Sequence, residues 1–117
     1  MTPEEMVAHC LGRPGAWPDN PWGHEHPVVK VHEKIFAFIG DDQVGVKSGA
    51  SREEADEWLE RYPEDASVMP YIGRSGWNNL RFGGAIADDE LCEAVDESYA
   101  LVVAKLPRKH RPAGWDG

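Results

Sequence analysis

Three observations predict an α+β fold for this 117-residue chain. Apolar residues recur at helical spacing in three segments, near 6–11, 55–62 and 91–106. Between the first two lie short runs of alternating apolar residues. Connections of two to four residues join those runs, which reads as an antiparallel meander. The length suits one domain with its own core. The expectation is a single compact domain over residues 1–111, an antiparallel sheet packed by helices, with 112–117 as a flexible tail.

Each element has its own signals. Thr2 is a good N-cap, Pro3 suits the first helical position and Glu5 completes a capping box. Met6, Val7, Cys10 and Leu11 then form an apolar face that Gly12 and Pro14 terminate. Residues 14–27 read as a loop, because Pro14, Pro18, Pro21 and Pro27 remove backbone donors. Trp17 and Trp22 stand out in that polar, proline-rich setting. Strands follow at 28–32, 35–39 and 43–47. The middle one is apolar on both faces and is expected to be central and covered on both sides. Ser51 and Glu54 form a second capping box for a helix to Tyr62, whose apolar stripe is Ala55, Trp58, Leu59 and Tyr62. A strand-like Val68-Met69 leads through a Gly73–Gly76 turn into strand 77–82. The last helix starts at Asp88 or Asp89 and turns Leu91, Val95, Ser98, Val102 and Leu106 inward. Tyr99, one position off that stripe, needs a partner for its hydroxyl, with the proline-rich loop as a candidate.

Composition narrows the class. The formal charge of −9 works against nucleic acid at long range. It is unevenly spread, with seven acids and two bases in 51–67 and six acids and no base in 87–104. Residues 68–86 and 105–111 carry bases and no acid. No apolar run approaches ~20 residues, which argues against a membrane helix. The acidic start lacks the basic and apolar regions of a signal peptide, so a cytoplasmic protein is expected. Cys10 and Cys92 then read as reduced thiols rather than a disulfide.

The segments Leu11-Gly12-Arg13-Pro14-Gly15-Ala16, Pro21-Trp22-Gly23-His24, Lys34-Ile35-Phe36-Ala37, Glu60-Arg61-Tyr62-Pro63, Trp77-Asn78-Asn79-Leu80 and Asp96-Glu97-Ser98-Tyr99 occur in that order. Together they make the chain, from Thr2 to about Arg111, resemble the MmcQ/YjbR family. The resemblance implies a compact α+β domain similar in architecture to type III secretion chaperones. It also implies DNA binding, and the expectation is a non-enzymatic monomer needing no cofactor. The contacts would fall on Lys30, Lys47, Arg74, Trp77, Asn79, Arg81, Lys105, Arg108, Lys109 and Arg111. The competing reading is a protein-interaction or chaperone-like adaptor that presents the Trp17/Trp22 loop and one sheet face. A continuous basic stripe would favour nucleic acid, and an exposed apolar groove would favour a protein partner.

The residues leave these readings open. Trp77, Asn79 and Arg81 should share one strand face and could stack bases and meet phosphate. Alternatively, Trp77 packs in the core and Asn79 satisfies a backbone group. The 105–111 bases could contact phosphates or simply complement the negative end of the last helix. His24, His26 and His32, with Glu25 or Glu33, match no metal-ligand signature, so no metal is expected. Gly73-Arg74-Ser75-Gly76-Trp77 lacks the final glycine of a nucleophile elbow. Gly45-Val46-Lys47-Ser48 lacks the spacer of a phosphate loop.

Overall fold

The computed structural model describes residues 1–115. The first helix, α1 (Pro3–Leu11), opens on the full capping box: the Thr2 hydroxyl accepts from the Glu5 N–H and the Glu5 carboxylate accepts from the Thr2 N–H. The second, α2 (Arg52–Arg61), is capped by Ser51, but its Glu54 carboxylate reaches past Ser51 to the Ala50 N–H. The third, α3 (Asp88–Ala104), is the longest and carries Asp88, Asp89 and Glu90 at its positive end.

Six antiparallel strands form one sheet: β1 (Ala16–Asp19), β2 (Val28–Val31), β3 (Lys34–Ile39), β4 (Gln43–Lys47), β5 (Ala66–Val68) and β6 (Trp77–Arg81), in the order β1-β2-β3-β4-β6-β5. The meander β2-β3-β4 is as expected. The segment 14–27 is not all loop, because β1 lies within it and pairs with β2. Pro18 is tolerated there since β1 is an edge strand, with one side free of ladder bonds.

Register sorts the side chains into two faces. One carries Val29, Val31, Ala37, Val44, Val46 and Leu80, which join Met6 and Cys10 of α1 and Leu91, Val95 and Val103 of α3 in a single buried cluster. Asn78 points the same way and donates to the Ala55 carbonyl of α2 at 2.9 Å. All three helices therefore cover one face. The expectation of a middle strand covered on both sides is corrected here: Phe38, on the opposite face, is only half-buried. Its apolar character serves that open face.

Three polar contacts lock the layers. A bulge in β3 places Phe36 outside the regular ladder, between the pairs Val29/Ala37 and Lys30/Ile35. The buried Ser98 hydroxyl of α3 donates to the Phe36 carbonyl at 2.7 Å and accepts from the Lys47 N–H at 2.9 Å. Arg52 of α2 donates to the Asn78 side chain, to Gly73 O and to Trp77 O. Tyr99 lies deeper than the edge position expected of it: it is 4% exposed, sits edge-on to Phe36 at 5.2 Å and donates to Pro14 O at 2.6 Å.

The expected tail also needs correction over residues 112–115. Pro112 packs beside Gly15, and Trp115 lies under the Arg111 guanidinium at 5.2 Å and against the core. Gly15, at φ 72°, makes the turn that admits Pro112. Residues 116–117 of that tail lie outside the described residues.

Candidate functional site

The open face carries Trp17, Lys30, Phe38, Lys47, Trp77, Asn79 and Arg81 in register. Its middle is Gly45, paired with Phe38 on one side and Asn79 on the other. The glycine is required by packing: a Cβ there would lie 2.8 Å from Met69 Sδ and 3.2 Å from Asn79 Oδ1. Met69, whose N–H pairs with Trp77 O at 3.2 Å, thus caps the sheet centre. Two depressions flank this centre.

The first is an apolar groove of about 720 Å³ floored by Val28 and Phe38, with Trp22 and Tyr71 on its walls. Tyr71 is 99% exposed and Trp22 58%. Tyr71 is held out by a tight turn in which the Ile72 N–H donates to Pro70 O at 2.8 Å. That turn puts Tyr71 at φ 66°, a left-handed conformation costly for a bulky residue. The Trp22 loop is organised by Asn20, whose amide donates to His24 O at 2.6 Å and accepts from the His24 N–H at 2.9 Å. Trp17 and Trp22 thus lie on or beside the same sheet face as Trp77.

The second depression, about 360 Å³, lies at the other end of the sheet, where the start of β3, the end of β4 and the start of β6 meet the last turns of α3. Its walls include Ile35, Trp77 and Leu101 with Lys34, Lys47 and Lys105. Burial, and then the neighbouring Lys105 charge, hold the Lys47 ammonium below its ordinary value. An acidic groove on the helical side is the counterpart, where Glu54, Glu57, Glu90, Glu93 and Glu97 line the space between α2 and α3. There burial, followed by Glu54 and Glu57, raises the Glu97 carboxyl.

The proposed nucleic-acid contacts do not form one stripe. Lys30 is bound to Asp19 at 2.7 Å and lies over the Trp17 ring at 5.2 Å. Lys47 is buried as a residue and its part-buried ammonium donates to Ser75 O at 2.7 Å, so it is not the freely exposed base expected of a strand face. Arg81 is exposed and lies 3.6 Å from Asp42. Asn79 is half-buried against Gly45 and Met69. Arg111 is used structurally: its guanidinium donates to Leu106 O and Ala104 O, closing the end of α3. Arg74, Lys105, Arg108 and Lys109 are exposed and without a carboxylate partner among the described residues.

The histidines separate. His32 stacks on His110 at 4.2 Å, whereas His26 binds Asp41 at 2.7 Å. Glu25, His26 and Asp41 bring one ligand atom each within 4.8 Å, a mostly exposed set that includes an acid from the β3–β4 turn. Asp41 was missed because no sequence spacing links it to His26. Tyr71 and Met69 were missed too, since only the fold shows that the 69–72 segment borders the open face.

Comparisons with known proteins agree on this architecture. The "Uncharacterized protein YjbR" of Escherichia coli K12 is 27% identical over 115 residues, spanning 95% of each chain, and its counterpart in strain O157:H7 gives the same figures. The crystal structure of Deinococcus radiodurans protein DR2400, a DUF419 domain, superposes with a TM-score of 0.81 at 21% identity, covering 94% of this chain and 85% of the other. The YjbR family model matches residues 11–101, which include the whole sheet and most of α3. The three-helix layer on a six-stranded antiparallel sheet is thus a fold this chain shares with relatives, and the chain belongs to the YjbR family.

Proposed function

We propose that this domain is a non-enzymatic adaptor that docks a short peptide segment of a partner protein on its open sheet face. The observation that carries the reading is the groove between Trp22 and Tyr71, where two exposed aromatics wall an apolar floor. Aromatic side chains so placed supply large contact area at small conformational cost, as hot-spot residues do. Backbone strain is spent to keep Tyr71 outside the core, which supports a role outside folding. Glu25 and Asp41 stand at the same end, and the chain as a whole carries −9, so the fitting segment has an apolar or aromatic anchor with Lys or Arg beside it. Two unbridged thiols, Cys10 and Cys92, support action in a reducing cytoplasm.

A peptide-display selection tests this reading. Enriched peptides should pair an aromatic or branched anchor with basic neighbours, and Trp22→Ala or Tyr71→Ala should abolish their binding without lowering the melting temperature. Enrichment indifferent to both substitutions, or no enrichment, overturns it.

Nucleic-acid binding is the second reading, favoured by Lys105, Arg108 and Lys109 at the end of α3, which meet no carboxylate among the described residues. No duplex or single strand bound at ~50 mM salt, where electrostatic association is strong, would remove it.

A further inference from the structure

We propose that the depression at the carboxy-terminal end of α3 is a binding site for a small amphipathic anion, an aromatic or branched aliphatic group bearing a carboxylate or phosphate. This goes beyond the peptide-docking reading and does not rest on it, because the two depressions lie at opposite ends of the sheet.

Convergence makes the site stand out, since Arg74, Arg108, Lys109 and Arg111 also lack an ion-pair partner among the described residues but do not share a cavity with it. The chain holds 21 acids against 12 lysines and arginines, so a basic side chain has ample choice of partner. Arg13, Lys30, Arg52, Arg61 and Arg81 each have a carboxylate within 4.0 Å. Lys34, Lys47 and Lys105 converge on one cavity of about 360 Å³, and no carboxylate lines it. None of the three has an ion-pair partner among the described residues.

Lys47 is the strongest member. It is only 7% exposed, and of its three donors one is used, on Ser75 O at 2.7 Å. Its ammonium is part-buried at the cavity wall, so an anion entering the cavity meets donors that the protein leaves open. Burial and Lys105 both hold this ammonium below its ordinary value, and an anion between the two lysines relieves both effects.

The floor determines the rest of the ligand. Trp77, Ile35 and Leu101 give it an apolar surface, so a bare inorganic anion would leave it unfilled. The volume falls near the lower end of ordinary ligand pockets, which suits a ring or short branched chain. A polyanionic backbone is a poorer fit, since Lys47 is withdrawn below the surface.

Titration of the full-length, isotopically labelled chain by NMR tests the assignment. Phenyl phosphate and benzoate serve as probes, with inorganic phosphate and benzyl alcohol as the anion-only and ring-only comparators. Saturable shifts of the Trp77 indole N–H and the Lys34, Leu101 and Lys105 amides are expected with the probes and should exceed those from either comparator. Lys34→Gln/Lys105→Gln, whose side chains are exposed, should weaken phenyl phosphate about tenfold or more. Lys47→Met should do the same, with a thermal melt confirming that each variant is folded. Equal response to benzyl alcohol, shifts confined elsewhere, or unchanged affinity in the folded exposed-lysine variant overturns the proposal. Displacement of phenyl phosphate by a thymidine octamer at lower concentration overturns it in favour of nucleic acid.

Discussion

Phe38 and Trp77 meet edge to face across the open side of the sheet, their ring centroids 5.6 Å apart and their planes at 82°. Phe38 floors the apolar groove while Trp77 walls the lysine-lined depression, so this one contact is the partition between the two. The residue that permits it is Gly45, opposite Phe38, whose missing side chain leaves room for Met69. Gly45→Ala should therefore destabilise the fold by about 1–2 kcal/mol, near the low end for overpacking because the Met69 thioether can move. A urea titration measures it, and an unchanged midpoint would show that Met69 does not press on the sheet.

Ser98 completes the hydrogen bonding left open by the β3 bulge. Ser98→Ala leaves the Phe36 carbonyl and the Lys47 N–H buried and unpaired, which should cost about 2–4 kcal/mol. Denaturant unfolding gives this value directly. A loss below about 1 kcal/mol would mean that neither group depends on the hydroxyl.

Tyr71 should trade stability against recognition. Glycine accepts the left-handed backbone that tyrosine adopts at φ 66°, and a 99% exposed ring contributes no burial. Tyr71→Gly should raise stability by ~0.5–1 kcal/mol, the relief of strain outweighing the added freedom of the unfolded chain. Binding of selected peptides should fall in the same variant. Thermal melts and a peptide titration on one preparation report both.

The two thiols should differ in reactivity. Cys10 is fully buried, and burial, followed by the Asp96 charge, pushes its thiol up from 9.0 to about 12. Cys92 is half-buried and raised mainly by burial. With a thiol reagent at neutral pH, Cys92 should react first and Cys10 only at the rate of unfolding. The raised Cys10 value contributes stability that is complete below pH 9.0 and drains away as pH climbs towards about 12, because the unfolded chain ionises first. An alkaline denaturation series on wild type and Cys10→Ala checks the sign.

Salt dependence separates the terminal bases. If the domain binds DNA, Arg108→Gln with Lys109→Gln should reduce the slope of log affinity against log salt by about two units, at roughly 0.9 per phosphate contact. Arg111→Gln should leave the slope unchanged and instead lower stability by about 1 kcal/mol through loss of its carbonyl bonds at the end of α3. A slope change on replacing Arg111 alone would show that it leaves its cap to meet phosphate.

Local signals were legible where local chemistry decides. Thr2 with Glu5, Ser51 before α2 and the acidic first turn of α3 all mark helix starts that the structure retains. The meander was legible because alternation and short turns leave few other pairings. What escaped was set across the sheet. The strand character of 16–19 comes from pairing with β2, which outweighs the turn bias of Pro18. That all three helices occupy one face cannot be seen in the both-sided hydrophobicity of β3, since Phe38 serves a surface rather than a second core. Lys47 read as a surface base because strand alternation says nothing about the overhanging end of α3. Arg111 read as part of a basic patch because its acceptors, Ala104 O and Leu106 O, exist only once α3 has ended.

With every helix on one side of the sheet, heritable change divides along the same plane. A substitution at Val46, Leu80 or Val95 disturbs close-packed neighbours and is felt by the entire fold. At Trp22, Tyr71 or Arg81 most of the side chain faces solvent, so a substitution there changes the surface with little effect on whether the chain folds. Lineages carrying this domain can therefore vary the open face by drift while keeping a constant scaffold beneath a changeable surface.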